Sequence, residues 1–171
     1  MQLICLWGII FFGPMLYTSI ITSGFPSIPQ LLIFTFFGLH QMGIILLNTA
    51  EDYTEDKLNG LRTIVIALGL HQAMNFALVL VIISGLALQV GMTWLIFENN
   101  LPWYAYASIG IFTTGWMIIL AEYYAIVSQL NRLDEEKAIE LIKKKGMNVP
   151  RWLKMGAYTF LATIVAYVLM K

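Results

Sequence analysis

Residues 63–97 read TIVIALGLHQAMNFALVLVIISGLALQVGMTWLIF, without one Asp, Glu, Lys or Arg in the run. A helix rises about 1.5 Å per residue and the hydrocarbon layer is about 30 Å thick, so about 20 such residues cross it. The same gap in charge recurs from Met1 to Ala50, from Asn99 to Ala121 and from Met155 to Met170. Over its 171 residues the chain is 59% hydrophobic and 12% charged, with a mean hydropathy of +0.76. A soluble domain holds about 45–50% apolar and about 25% charged residues. These departures exclude a water-soluble enzyme, a nucleic-acid binder and a disordered tail, and the net charge of zero removes any long-range attraction for nucleic acid.

The charge-free opening is too long for one span and breaks at Thr22-Ser23-Gly24-Phe25-Pro26-Ser27-Ile28-Pro29, where two prolines and a glycine make a turn. The pattern predicts an all-α, integral membrane bundle forming a single transmembrane domain over 1–171. Five spans are expected near 3–21, 30–48, 64–89, 103–127 and 153–170, with polar segments at 49–63 and 128–152 and a loop over Gly91–Pro102. No basic residue precedes the first apolar stretch and no cleavage pattern follows it, so no signal peptide is expected. Cys5, the single cysteine, excludes an intrachain disulfide.

Five spans put the two polar segments on one side. Counted over Glu51–Arg62 and Ser128–Lys154, they hold Lys57, Arg62, Arg132, Lys137, Lys143, Lys144, Lys145, Arg151 and Lys154, leaving only Lys171 of the ten basic residues opposite. The positive-inside rule predicts that this side is cytoplasmic, and Trp94, Trp103, Tyr104 and Tyr106 flank the opposite loop as interfacial aromatics should. Leu130, Leu133, Ala138, Leu141 and Ile142 fall loosely on one helical face, with Asp134, Glu135, Glu136 and Glu140 largely elsewhere. Such a segment either lies along the membrane with Lys143–Lys145 at anionic head groups or is a solvated connector.

The chemistry-bearing run is Asn48-Thr-Ala-Glu51-Asp52-Tyr-Thr-Glu55-Asp56-Lys57-Leu-Asn-Gly60-Leu-Arg62-Thr63. If the second helix continues into it, Asn48, Asp52 and Asp56 share one face at i, i+4 and i+8. Like charges at that spacing destabilise a helix by about 0.2–0.5 kcal/mol per pair. A divalent cation relieves the repulsion: Mg²⁺ takes oxygen ligands, keeps waters, and is often held by one or two carboxylates plus substrate phosphates. Gly60 permits a turn, and Arg62 has the forked geometry for phosphate oxygens. A hydrated acidic loop capped by Lys57 and Arg62 is the plainer alternative.

The run Asp52-x-x-x-Asp56-x-x-x-Gly60-x-x-Thr63, preceded by Asn48 and followed by Ala67-Leu68-Gly69, resembles the second aspartate-rich motif of the UbiA superfamily of membrane prenyltransferases. Phe11-Phe12-Gly13-Pro14 and the turn before Pro26 are similar to the helix pair that precedes it in some members. The resemblance implies the carboxyl-terminal five helices of a nine-helix bundle that transfers an isoprenoid chain from its diphosphate, bridged by Mg²⁺, to an aromatic or other acceptor. It implies Asp52 and Asp56 as metal ligands and Asn48 as an accessory polar ligand in the substrate site, beside the phosphate contact read for Arg62. Glu51 and Glu55 fall where acidic residues are tolerated without being demanded. Membrane lipid and isoprenoid diphosphate are the implied partners. The first motif of such enzymes, an Asn-Asp-x-x-Asp-type run, has no counterpart, since the only aspartates are Asp52, Asp56 and Asp134. Three explanations are open: another membrane polypeptide supplies the first four helices, the sequence is a fragment, or it is a shortened, non-catalytic relative acting as an integral membrane subunit of a larger complex.

No catalytic residue can be assigned from the motif; Glu122 and His40 are the candidate bases. Glu122 lies inside the fourth span, where a carboxylate is costly enough to suggest function, although a hydrogen bond near the interface explains it equally. His40 precedes Asn48 by two turns, and a helix-to-helix hydrogen bond is its plainer role. His71-Gln72 lies where a head group or substrate would pass, and no His-x-x-x-His spacing supports a histidine metal centre. Phe11, Phe12, Phe34, Phe36, Phe37, Trp116 and Tyr123 suit either ordinary packing or a prenyl tunnel, and the glycines of the spans permit close helix contact.

Overall fold

A computed structural model describes residues 2–130 and 132–146. The predicted span near 153–170, together with Pro150, Arg151 and Lys154, lies outside them. Among the described residues every regular element is helical, and four helices are long and apolar enough to cross a membrane.

The first crossing is one rod in three pieces: α1 (Gln2–Leu6), a π-helical stretch (Trp7–Phe12) and α2 (Gly13–Ser23). The loosened register has a local cause. Pro14 lacks an N–H and its ring crowds the carbonyl one turn back, so the ladder shifts and Gly13 donates to the Gly8 carbonyl five residues earlier. Gly13 is required there, because a Cβ would stand 2.6 Å from that oxygen. Trp7 stacks on Phe12 and donates from Nε1 to the Thr35 carbonyl at 3.0 Å, tying the rod to the next helix.

Gly24, at φ +90°, turns the chain, and α3 (Ile28–Glu51) starts where the Ser27 N–H donates to Gln30 Oε1 at 2.8 Å. A short α4 (Tyr53–Leu58) follows, then α5 (Ile64–Leu68), α6 (Leu70–Glu98), α7 (Trp103–Leu130) and α8 (Glu135–Gly146). The third crossing differs from its expected limits at both ends. Gly69, at φ +79°, breaks the helix between Leu68 and Leu70, so 64–68 stands apart as α5. Gly91, expected in a loop, is buried within α6 and faces Ile33 and Leu32 of α3, so the helix runs on to Glu98. It stops there because Asn100 adopts φ +48°, letting Leu101 donate to the Ile96 carbonyl and Asn100 to that of Phe97.

The bundle centres on α3, α6 and α7, with α3 against α6 as its most extensive contact. Leu46, Leu47, Ala73, Ala77, Val81, Ile119, Tyr123 and Ile126 make its core. Polar bonds pin the helices at fixed heights: Trp116 Nε1 donates to the Val81 carbonyl at 2.9 Å, and Tyr123 Oη donates to the Gly43 carbonyl at 2.9 Å. Gly85 leaves the space that the Trp116 indole occupies. Both aromatics therefore serve packing. Helix α8 is neither a free connector nor a helix lying on lipid alone. Its Ala138, Ile139 and Ile142 join the core, and Gly146 sits against Leu47 and Glu51 at the end of α3.

Candidate functional site

The end of the bundle where α3 stops and α8 docks carries the acidic run. Asp52 closes α3 and opens α4 with φ −96° and ψ 8°, and the Asp56 N–H still donates to the Asp52 carbonyl at 2.9 Å. The two aspartates thus stand one helical turn apart, Asp52 exposed and Asp56 half-buried. Asn48, one turn earlier on α3, is exposed, and Arg62 is exposed in the link between α4 and α5.

The rest of the pattern has a folding role. Gly60, at φ +67°, ends α4: Leu61 donates to the Asp56 carbonyl at 2.9 Å and Gly60 to the Lys57 carbonyl at 3.3 Å, the arrangement of a helix closed by a left-handed residue. Thr63 then caps α5 by accepting from the Ile66 N–H at 3.4 Å. The spacing Asp-x-x-x-Asp-x-x-x-Gly-x-x-Thr therefore encodes one turn of helix, a stop and a new start, and holds both aspartates at the bundle end.

The nearest cation in sequence is drawn elsewhere. Lys57 pairs with Glu135 of α8 at 3.2 Å and lies 5.4 Å from the centre of the Tyr53 ring. Among the described residues no ion pair engages Asp52, Asp56, Glu51 or Glu55, and no group of three or more His, Cys, Asp or Glu side chains is close enough to hold a metal by itself. What the mouth offers is a pair of hard oxygen donors that no ion pair among the described residues engages.

The two candidate bases occupy different places. Glu122 is half-buried on α7 and takes an ion pair from Lys145 of α8 at 2.8 Å. His40 is fully buried near the middle of α3, 12 residues or about 18 Å along the helix from Asp52. Its Nδ1 lies 3.0 Å from Ser84 Oγ. The single Ser84 hydroxyl proton is directed to the Leu80 carbonyl at 2.5 Å, so Ser84 accepts and the His40 proton sits on Nδ1. Nε2 is then a bare acceptor, and it has no partner among the described residues. The structure therefore gathers Asn48, Asp52, Asp56 and Arg62 at one end, sets Glu122 beside α8, and leaves His40 deep in the bundle. The contacts that Lys145 makes with Glu122 and Tyr123 with Gly43 have no local signal in the sequence, since the partners lie 23 and 80 residues away.

A sequence model of the UbiA prenyltransferase family matches residues 2–137. No curated protein and no solved structure matches the chain.

Proposed function

The chain belongs to the UbiA prenyltransferase family, and from that premise we propose that it contributes a diphosphate-binding mouth to isoprenoid transfer within a multi-pass membrane bundle. The observation that carries the reading is the pair Asp52 and Asp56, one turn apart at the bundle end, with no ion pair engaging either among the described residues.

Carboxylate oxygens suit Mg²⁺, which is commonly held by one or two of them together with water and substrate phosphate. Asp52 and Asp56 are the residues that would hold it, and a bound Mg²⁺ would stabilise the negative charge gathering on the departing diphosphate. Arg62 supplies a fixed, always-charged fork for phosphate oxygens, and Asn48 a neutral polar contact one turn deeper. The allylic carbon–oxygen bond breaks with its electron pair leaving on diphosphate; the acceptor atom bonds to that carbon and releases a proton. Neither candidate base stands at the aspartate pair: His40 is fully buried about 18 Å along α3 from Asp52, and Glu122 has its charge balanced by Lys145. The acidic mouth faces the cytoplasm, because nine of the ten Lys and Arg residues lie on that side.

Asp52→Ala and Asp56→Ala test the assignment. Each variant, shown by circular dichroism to be folded, should lose prenyl transfer in membranes by a factor of 100 or more, the scale on which removing a charge-stabilising group acts (about 10²–10³). Turnover at the level of the unaltered protein in either variant overturns it.

A second reading keeps the family fold without the chemistry: an integral membrane subunit of a larger complex. It is favoured by the lack of a third metal-capable group beside the two aspartates among the described residues. Co-purification separates the readings. A partner polypeptide bearing an Asn-Asp-x-x-Asp run supports transfer, and a stable complex without one supports the structural role.

A further inference from the structure

The three lysines that close α8 do not share one task. Lys145 pairs with Glu122 of α7 at 2.8 Å. Lys144 is exposed one turn beyond the exposed Glu140, on the side of α8 turned away from the bundle. Lys143 is exposed as well, yet its neighbours one turn to either side both face the bundle: Ile139 is in the core, and Gly146 abuts Leu47 and the Glu51 carboxylate of α3. It therefore stands on the edge of α8 nearest α3, and its charge acts on Glu51. No ion pair engages it among the described residues.

Two contacts set its height. Glu135 meets Lys57 of α4 at one end of α8, and Gly146 meets Leu47 and Glu51 at the other, so α8 runs back along the acidic segment. Lys143 precedes Gly146 by three residues, roughly 4.5 Å, which brings it level with Asp52. Charge gives that position a use. Glu51, Asp52, Glu55 and Asp56 carry four negative charges, so one divalent cation leaves two unbalanced, and a diphosphate brings more. Lys57, the nearest lysine in sequence, is held by Glu135. An ammonium with no fixed partner beside a carboxylate pair suits phosphate oxygens, for which lysine serves as a point charge.

We propose that Lys143 is a phosphate-binding residue of the mouth, its Nζ donating to the diphosphate whose magnesium Asp52 and Asp56 hold. The inference rests on the magnesium reading of that pair and adds α8 as a wall of the site.

Calorimetric titration of the detergent-purified full chain with inorganic diphosphate and Mg²⁺ tests it. Lys143→Gln should weaken diphosphate binding about tenfold, the worth of one charge-assisted hydrogen bond, and Lys143→Arg should keep most of it. Lys144→Gln, which removes the same charge from the outward side, should bind as the unaltered protein does. Equal losses in the two glutamine variants would reduce the effect to net charge and overturn the proposal, as would undiminished binding in Lys143→Gln. Asp52→Ala separates the two readings. If it abolishes Mg²⁺-dependent binding while Lys143→Gln does not weaken it, the aspartate pair stands without Lys143. If only Lys143→Gln weakens binding, the phosphate contact stands and the metal pair falls. Unaltered protein that takes no diphosphate with Mg²⁺ present overturns both. Phosphatidylglycerol that displaces diphosphate without Mg²⁺, and only while Lys143 is present, would assign the lysine to a lipid head group and overturn the proposal.

Discussion

Single side chains fix how close the helices come. Tyr123 is fully buried and its hydroxyl donates to the Gly43 carbonyl. Removing one such bond inside a membrane bundle costs about 0.6 kcal/mol, less than the roughly 1 kcal/mol typical in water. Tyr123→Phe should therefore lower the thermal midpoint in detergent slightly and leave the fold intact. Gly85→Ala should be the harsher change. Its methyl would enter the space of the Trp116 indole, which is itself bonded to the Val81 carbonyl, and overpacking of this kind costs about 1–3 kcal/mol. A changed Trp116 emission, together with a double variant Gly85→Ala/Trp116→Leu less damaged than the sum of its parts, is the expected signature; additive losses would show that the two residues do not share that space. At this scale the sequence disclosed what lies within one turn and little else. Asp52 and Asp56 are legible because a four-residue interval is a property of the helix. The partners of His40, Glu122 and Tyr123 are not, because they are chosen by packing across 44, 23 and 80 residues.

Among the elements, α8 depends most on its attachments. Its apolar side, Ala138, Ile139 and Ile142, completes the core under α3 and α7, while Lys57–Glu135 and Lys145–Glu122 fasten its two ends. The apolar burial outweighs the exposed Lys57–Glu135 bridge, since surface pairs contribute about 0–1 kcal/mol. Ile142→Ala should therefore free α8 more than Lys57→Ala does, at about 2–5 kcal/mol for the lost packing, read as faster hydrogen exchange along Glu135–Gly146. The start of α8 adds a pH dependence. Asp134 accepts from the Lys137 backbone N–H at 2.9 Å and from its Nζ at 2.8 Å, and these bonds hold its carboxyl below the usual 3.8. A lowered folded-state value means that the cap is fully effective above the ordinary carboxylate range and is lost as pH falls through the depressed one. Exchange in the first turn of α8 should thus rise on acidification below about pH 4, and Asp134→Ala should abolish that step; an unchanged step in the variant would assign it to another group. The amphipathic pattern of this segment was readable in the sequence, but the surface it covers was not, because an apolar stripe of this kind fits a protein face as well as a lipid one. The break at Gly69 was hidden for a related reason: a glycine inside an apolar run is tolerated in a helix, and only its positive φ reveals the stop.

For the molecule as a whole, gaps in charge were enough to place four crossings, since burying a charge in hydrocarbon is expensive and a helix is among the few backbone forms that hydrocarbon permits. The orientation proposed for them rests on a separate asymmetry, the concentration of Lys and Arg in the two polar stretches of sequence read as lying on the side of the acidic mouth. That asymmetry makes a prediction which no side-chain contact makes. Cys5 is the sole cysteine, so a Cys5→Ser background gives a clean reporter. Asn99 and Asn59 are both exposed, at opposite ends of the bundle. In intact cells a membrane-impermeant maleimide should label Asn99→Cys and spare Asn59→Cys, which should react only once the membrane is opened. The reverse pattern would turn the mouth outward. The consequence reaches the chemistry, because a diphosphate carries several charges and does not cross hydrocarbon unaided. If the proposed transfer reaction holds, the compartment that Asp52 and Asp56 face must supply the isoprenoid diphosphate and receive the diphosphate released, and an outward mouth would require a donor made or delivered on that side.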